Sequence, residues 1–163
     1  MSKRLKVCLA SALFASVQVL CASTVFAASE RGSEAEAVAM VKKAVALIKS
    51  AGPETAYKTL TEHPDGAFKD RDLYVFVYDF QGNCLAQGAN PKMVGKNFLE
   101  LKDMDGNQLI KGQIEMVKAK KSGWYGPYKF NNPVTKTLDV KNAYCEQGAG
   151  DTDVCVGVYL GKQ

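Results

Sequence analysis

The chain has 163 residues, of which 47% are hydrophobic and 23% are charged, and its formal net charge at neutral pH is +4. This length and composition fit one globular domain with one core. Basic and acidic residues are mixed along the chain without a Lys/Arg-rich block, so the sequence offers no surface for nucleic acid.

The first 27 residues have the pattern of a signal peptide. Three basic residues among the first six are followed by an apolar stretch that runs to Phe26, and Ala27 supplies a small residue for cleavage. We expect cleavage to leave a near-neutral, soluble, periplasmic domain at 28–163. The alternative is that the leader stays as a membrane anchor, since its length would suffice to span a bilayer. No later segment is apolar enough to do so.

Two helices are predicted next. A long one over residues 29–50 is indicated by apolar side chains at every third or fourth position, namely Val38, Val41, Val45 and Ile48. Pro53 can begin the second, which we expect to end near Glu62 because a His-Pro-Asp-Gly turn follows.

Strand patterns begin at Leu73. Tyr74, Phe76 and Tyr78 alternate with smaller apolar residues, so these three aromatic side chains should share one face of a strand. A tight turn at Gly82 then leads to a return strand at 84–87.

A third helix is predicted from the apolar stripe of Ile110, Ile114 and Val117. The Asp-Met-Asp-Gly stretch before it matches the start of an EF-hand loop but lacks the later ligands of calcium. We therefore expect Asp105 or Asn107 to cap the helix, and no metal site.

Three further strands are predicted at 123–130, 137–146 and 154–160. Short links between successive strands favour an antiparallel sheet, so the fold class is α+β, with five or six strands, a long N-terminal helix and a helix between the strand groups. Pro127 has no N–H for the ladder and predicts a bulge or an edge strand there.

Three cysteines lie beyond the leader. Cys145 and Cys155 flank a turn-rich segment, and we predict that they form a cross-strand disulfide, which export permits. Cys84 is predicted to be a small buried residue, with an exposed redox-active thiol as the alternative. The motifs of zinc and haem sites are missing, so we expect no cofactor.

The inventory of residues does not favour an enzyme. The single histidine, His63, lies in a turn, and the carboxylates are scattered, so we predict no catalytic residue. Aromatic side chains at strand spacing, with lysines nearby, instead favour a pocket for a small anionic molecule. The candidate ligand-binding residues are Phe76, Tyr78, Gln87, Trp124, Tyr128, Lys129, Lys141 and Tyr144. The alternative is an exported interaction or structural module in which the same aromatic residues fill the core.

Seven short motifs in order resemble those of single Cache domains of the second type, which are extracytoplasmic sensors related to PAS domains. They are YVFVYD at 74–79, GNCLA at 82–86, GANPKMVGKN at 88–97, DMDG at 103–106, GW at 123–124, NPVT at 132–135 and GVY at 157–159. The resemblance implies a PAS-like antiparallel sheet flanked by a long helix. It also implies sensing of small organic molecules, often carboxylates.

Two departures from the family pattern concern the site. First, Gln87 stands where the family pattern often has histidine. Second, the strand after Trp124 is one residue longer than in the pattern, and this extra residue leaves open whether Tyr128 or Lys129 faces the pocket. Sensors of this kind commonly feed a kinase or chemotaxis domain, and we expect this protein to act without an output domain of its own. We therefore expect a periplasmic protein that binds a small metabolite and presents it to a partner such as a membrane sensor kinase or a chemoreceptor.

Overall fold

The structure, a computed structural model, describes residues 31–64 and 66–161, so the predicted signal peptide lies outside the described residues. The helices are α1 (Glu34–Ala51), α2 (Pro53–Glu62) and α3 (Leu109–Lys120), with a 3-10 turn at Pro91–Met93. The strands are β1 (Lys69–Asp70), β2 (Leu73–Asp79), β3 (Cys84–Gln87), β4 (Ser122–Asn131), β5 (Leu138–Gln147) and β6 (Thr152–Gly161). The predicted α+β class is confirmed.

The six strands form one antiparallel sheet. Strand β2 pairs with β6 on one side and with the short strands β1 and β3 on the other, and β5 and β4 follow β6 to the far edge. The sequence did not predict the two-residue strand β1, because two residues are too few to show the alternation that marks a strand. None of the helices in the described part of the chain is long and apolar enough to cross a membrane.

Helices α1 and α2 cover one face of this sheet. Helix α1 begins at Glu34, because Ser33 caps it in a reciprocal pair with Glu36, and it buries Val41, Val45 and Ile48 as the spacing predicted. Those side chains pack with the alternate residues of β2 and β6 that point towards the helix: Leu73, Val75, Val77, Val154, Val156 and Val158. This face is a closed apolar core.

The other face carries the aromatic side chains, and a bulge in β4 sets their phase. Tyr125 lies opposite Ala143 and Tyr128 opposite Lys141, so the Gly126-Pro127 segment contributes one extra residue to β4. Both tyrosines therefore point to the same face, and β4 is also an edge strand. The prediction of a bulge or an edge position at Pro127 is confirmed.

The predicted cap of α3 is wrong. Gln108 occupies the N-cap position without a side-chain hydrogen bond, and neither Asp105 nor Asn107 caps the helix. The carboxylate of Asp103 instead accepts hydrogen bonds from the backbone N–H groups of Asp105, Asn107 and Lys129. Burial alone would raise the pKa of Asp103, but a hydrogen bond from the side-chain amide of Asn107 and these three from the backbone lower it to about 2. The loop is thus tied to the outer edge of β4.

The cysteines follow the prediction. Cys145 lies directly opposite Cys155 on β5 and β6, with their Cα atoms 4.1 Å apart, and the two form a disulfide. Cys84 is buried on β3, and burial raises the pKa of its thiol to about 12. The alternative of an exposed redox-active thiol is therefore wrong.

Replacing both Cys145 and Cys155 with Ala should lower the free energy of unfolding by about 3 kcal/mol, because the disulfide restricts the unfolded chain. Urea denaturation under non-reducing conditions measures the change. Cys84→Ala is the matched control, since it removes a buried sulfur and leaves the disulfide intact. An unchanged unfolding midpoint in the double variant would contradict the prediction.

Candidate ligand-binding site

The ammonium group of Lys141 lies among aromatic rings on the sheet face opposite α1. Only 2% of this residue is exposed. Four rings surround its Nζ atom, at centroid distances of 4.3 Å for Tyr74, 5.0 Å for Phe76, 5.1 Å for Phe130 and 4.8 Å for Tyr159. We call these four side chains the aromatic box. Such rings attract a cation through their quadrupoles.

The strand register and one glycine put the lysine there. On β5, Lys141 lies between Tyr128 of β4 and Tyr159 of β6. Its aliphatic stem crosses β6 over Gly157, where a Cβ atom would overlap Cε of the lysine. The absence of a side chain at position 157 is therefore what lets Lys141 lie flat against the sheet.

A chain of hydrogen bonds leads from the amine to the end of β4. Nζ of Lys141 donates to the hydroxyl of Tyr74 at 2.7 Å, and that hydroxyl is 3.1 Å from the hydroxyl of Tyr159. Tyr159 donates to the carbonyl oxygen of Asn131 at 2.9 Å. Because this bond uses the hydrogen of Tyr159, the hydrogen of Tyr74 points to Tyr159. All three groups are thereby oriented.

The amine has no acidic partner. No ion pair within residues 31–64 and 66–161 includes Lys141. Burial lowers its pKa to about 7, although the negative charge of Asp72 acts in the opposite direction. Burial also raises the pKa of Tyr74 to about 12, so the tyrosine keeps its proton. The site therefore holds a buried amine that is partly protonated at neutral pH.

Two neighbouring cavities share lining residues on this face of the sheet, and the inner one contains the amine. The inner chamber, lined by Lys141 and the rings of Tyr74, Phe76 and Phe130, has a volume of about 20 Å³, room for about one water molecule. An outer cleft of about 420 Å³ shares Tyr74 and Phe130 with the chamber and extends to the loop at 131–133. The two cavities form a narrow apolar end with a cation and a wider, more polar mouth.

Gln87 lies where the chamber meets the cleft and lines both. Its Oε1 atom accepts a hydrogen bond from the N–H of Ala89, and its Nε2 atom lies 3.7 Å from the sulfur of Met93. The side chain is buried and offers an amide group at the entrance.

The structure brings five of the eight predicted site residues together at the chamber and places three elsewhere. The five are Phe76, Tyr78, Gln87, Tyr128 and Lys141. Tyr128, and not Lys129, faces the chamber, because the bulge shifts the phase of β4 by one residue. Lys129, also on β4, lies outside the chamber. Its Nζ atom forms an ion pair at 2.9 Å with the carboxylate of Asp105, which belongs to a loop.

Trp124 and Tyr144 lie on the α1 side of the sheet. Their rings pack against each other at a centroid distance of 5.4 Å, and the tyrosine contacts the core beneath α1. Trp124 is 37% exposed, and Tyr144 donates a hydrogen bond to Glu146. Their strand neighbours Tyr125 and Ala143 belong to the aromatic face of the sheet, so the alternation of the strands turns Trp124 and Tyr144 to the opposite face.

Sequence reasoning missed three members of the aromatic box as site residues: Tyr74, Phe130 and Tyr159. Strand alternation could have found the first two, because each shares a face with a residue that was chosen, Phe76 or Tyr128. Tyr159 becomes adjacent to Lys141 through the register of β5 and β6. The predicted cross-strand bridge between Cys145 and Cys155 could have given this register, because Lys141 and Tyr159 each lie four residues from one of the cysteines.

A second buried titratable group, Asp153, lies at the other end of the same sheet face. Its carboxylate accepts hydrogen bonds from the backbone N–H of Tyr78 and from Nε2 of Gln113, and burial raises its pKa to about 7. It also lies beside Cys145 and Cys155, but these sulfurs are bonded to each other and are not free to bind a metal. Asp153 is not part of the chamber.

Comparison with known families gives a match over most of the chain. The family model described as "Single Cache domain 2" matches residues 22–161. The sensor histidine kinase MctS of Rhizobium johnstonii is 34% identical over 74 residues, which are 45% of this chain and 16% of the kinase. The chain thus spans a small part of that curated relative.

Solved structures with the same fold include chemotaxis receptors. A methyl-accepting chemotaxis protein from Vibrio parahaemolyticus has a TM-score of 0.63 at 23% identity, covering 77% of this chain and 87% of that one. A Cache chemosensory domain described in terms of carboxylic acid recognition has a TM-score of 0.60 at 20% identity, covering 74% and 84%. A periplasmic sensor domain of a chemotaxis protein has a TM-score of 0.59 at 21% identity, covering 78% and 89%. These similarities establish the fold.

Replacing Lys141 with Met should raise the free energy of unfolding at neutral pH, by about 1–3 kcal/mol, because it removes a buried charge that lacks an acidic partner. The pKa of Lys141 is lower in the folded than in the unfolded chain, so the penalty is complete below about pH 7 and disappears as the pH approaches the usual lysine value. Chemical denaturation at several pH values measures this difference.

The matched control is Lys129→Met, the same substitution at a solvent-exposed ion pair, where we expect a much smaller change. Lower stability of Lys141→Met would mean that the contacts of the cation with the aromatic box stabilise the fold.

Proposed function

Because the chain belongs to the single Cache domain 2 family, we propose that it binds a small carboxylate at Lys141 and acts as a periplasmic sensor. The single observation that carries this proposal is the buried amine of Lys141, which has a hydroxyl partner and no acidic one. The family is one of sensor domains, and the proposed role is binding without catalysis.

A ligand carboxylate would supply the negative charge that the ammonium group of Lys141 lacks in the chamber. A protonated amine has three N–H groups, and Tyr74 accepts one of them, so donors remain for an anion. Charge-assisted hydrogen bonds of this kind are shorter and stronger than neutral ones. The same carboxylate would offset the cost of burying the ammonium group, which the free protein bears alone.

The shape of the site favours a short acid. The inner chamber is small and lined mainly by aromatic carbon, so the carboxylate end would enter it with a slight outward movement of the lining side chains. The rest of the ligand would lie in the outer cleft, where Gln87 and the loop at 131–133 offer polar groups. This division between a charged inner end and a polar mouth suits a small organic acid.

The comparisons support this reading. One structural neighbour is described in terms of carboxylic acid recognition, and others are chemotaxis proteins. The matched segment of MctS belongs to a sensor kinase. We infer that the ligand-bound domain passes its signal to a membrane sensor kinase or a chemoreceptor.

Acetate, propionate and other short acids should raise the melting temperature of the protein, and a saturating acid at a hundred times its Kd would stabilise it by about 2.7 kcal/mol. Lys141→Met should weaken binding at least about a hundredfold, because it removes the counter-charge of a buried anion. Thermal shift assays and calorimetric titration measure both effects.

Three further variants test whether the chamber is the binding site. Gly157→Ala keeps the lysine but displaces its stem, and it should weaken binding as well. Lys129→Met and Trp124→Ala change residues outside the chamber and should bind normally. Loss of binding in either of these controls would contradict the location. A broad screen of organic acids without any stabilisation would overturn the proposed function and favour an interaction module with a filled core.

The affinity for a carboxylate should be constant below about pH 7 and should then fall by up to about tenfold for each pH unit. The reason is that an anion binds the protonated amine, whose pKa is about 7 in the free protein and rises when the anion is bound. The tyrosines around Nζ keep their protons, since burial raises the pKa values of Tyr74, Tyr128 and Tyr159. Calorimetric titration from about pH 6 to about pH 9 measures the profile.

Asp153→Asn is the control for this pH profile, because Asp153 is the other buried group with a pKa of about 7. An amide at position 153 can pair with Oε1 of Gln113, which lacks a partner, so the variant should fold. The fall in carboxylate affinity above about pH 7 should persist in Asp153→Asn. Its disappearance in this variant would mean that the carboxyl group of Asp153, and not the amine of Lys141, causes the pH dependence.

A further inference from the structure

We propose that Lys141 forms a reversible imine with the carbonyl carbon of a 2-oxo acid, which narrows the ligand class of the chamber to carboxylates with an adjacent carbonyl group. This inference rests on the proposed function, since the acid must first bind through its carboxylate. It goes further because it assigns a covalent step to the lysine side chain.

The surroundings of the amine are those of a nucleophile. Of the lysines in the described part of the chain, Lys141 alone is buried, and it lies in the aromatic box without an acidic partner. Lysine becomes nucleophilic when an apolar site disfavours its protonated form. Lys129 lies beside the carboxylate of Asp105, whereas Lys141 has no such partner among the described residues to hold it in the protonated form in the free protein.

A hydroxyl group is placed to move the protons that imine formation requires. The oxygen of Tyr74 lies 2.7 Å from Nζ, and its hydrogen bond to Tyr159 connects it to the carbonyl of Asn131 at the cleft. Burial keeps Tyr74 protonated, so it can accept a hydrogen bond from the amine and donate a proton in turn. The hydrogen-bond chain thus reaches from the reacting nitrogen to the wider cavity.

The step balances without any further reactant. The ammonium group first releases one proton to solvent, and the lone pair of the neutral amine attacks the carbonyl carbon of the 2-oxo acid. A C–N bond forms, and the electron pair of the C=O bond moves to oxygen, which takes one of the two amine protons by way of the Tyr74 hydroxyl. The resulting carbinolamine loses its hydroxyl group together with the remaining amine proton as water, while the nitrogen lone pair closes the C=N bond. Amine and 2-oxo acid give imine and water, no atom is oxidised or reduced, and hydrolysis reverses the step.

The cavities have suitable sizes for this exchange. The inner chamber beside Nζ has room for about one water molecule, which imine formation releases and hydrolysis consumes. The outer cleft of about 420 Å³ has space for the substituent of the 2-oxo acid. A covalent bond would keep a 2-oxo acid bound longer than the 2-hydroxy acid of the same carbon skeleton.

Reductive trapping tests the proposal on the unmodified protein. The full chain is incubated at neutral pH with pyruvate, the smallest 2-oxo acid, and sodium cyanoborohydride, and peptide mapping by mass spectrometry locates the adduct. We expect Lys141 to gain the mass of one pyruvic acid less one oxygen atom. Its labelling should exceed that of surface lysines by up to on the order of a thousandfold, because far more of this amine is unprotonated.

Matched probes and variants separate the imine from carboxylate binding. Propionate and lactate lack the carbonyl group at carbon 2, so they should stabilise the protein without forming an adduct. Lys141→Arg should give no adduct at position 141, whereas Lys129→Met should be labelled at Lys141 like the wild type. If pyruvate and propionate both stabilise the protein and Lys141 stays unlabelled, the imine is overturned and the carboxylate function stands. If no acid stabilises the protein, both are overturned, and equal labelling of all lysines overturns the imine.

Discussion

The burial of one amine without an acidic partner organises the ligand face of this domain. Lys141 reaches its position because Gly157 leaves room for its stem, and it stays there because four rings and the hydroxyl of Tyr74 replace water around it. A group so poorly compensated lowers stability. The burial cost is offset when a ligand supplies the missing negative charge, so under the proposed function the residue that destabilises the free domain would also make it selective for anions.

The two faces of the sheet have different roles: one forms the aliphatic core, and the other holds the chamber. The face beneath α1 is filled with aliphatic side chains such as Val75 and Val156, which pack together as a core and stabilise the fold. The opposite face holds large rings, whose flat shapes leave a chamber and can carry hydroxyl groups into it. Since β2 and β6 alternate between these faces, each aliphatic core residue positions the aromatic residues on either side of it.

The sequence predicted the elements well, because strong periodicity marks α1, α2, α3 and β2, and their bounds differ from expectation by a few residues. The bulge at Pro127 was also predictable, since proline has no donor for the ladder. The sequence could not predict which side chains of β4 face the chamber after the bulge. One extra residue reverses the alternation of the strand, and only the pairing with β5 shows where that residue lies. The Tyr159 contact could have been derived from the predicted disulfide, because the two cysteines lie in the same register as Lys141 and Tyr159. The hydrogen bonds that the carboxylate of Asp103 accepts could not be read from composition or spacing.

The disulfide of Cys145 with Cys155 has a mechanical consequence. It joins β5 and β6 at one end of their hairpin, while Lys141 and Tyr159 lie four residues away towards the other end. The covalent bond limits how far the two strands can separate at that end. At the other end only hydrogen bonds and packing hold them together, and there Gly161 lies against the side chain of Arg31 just before α1.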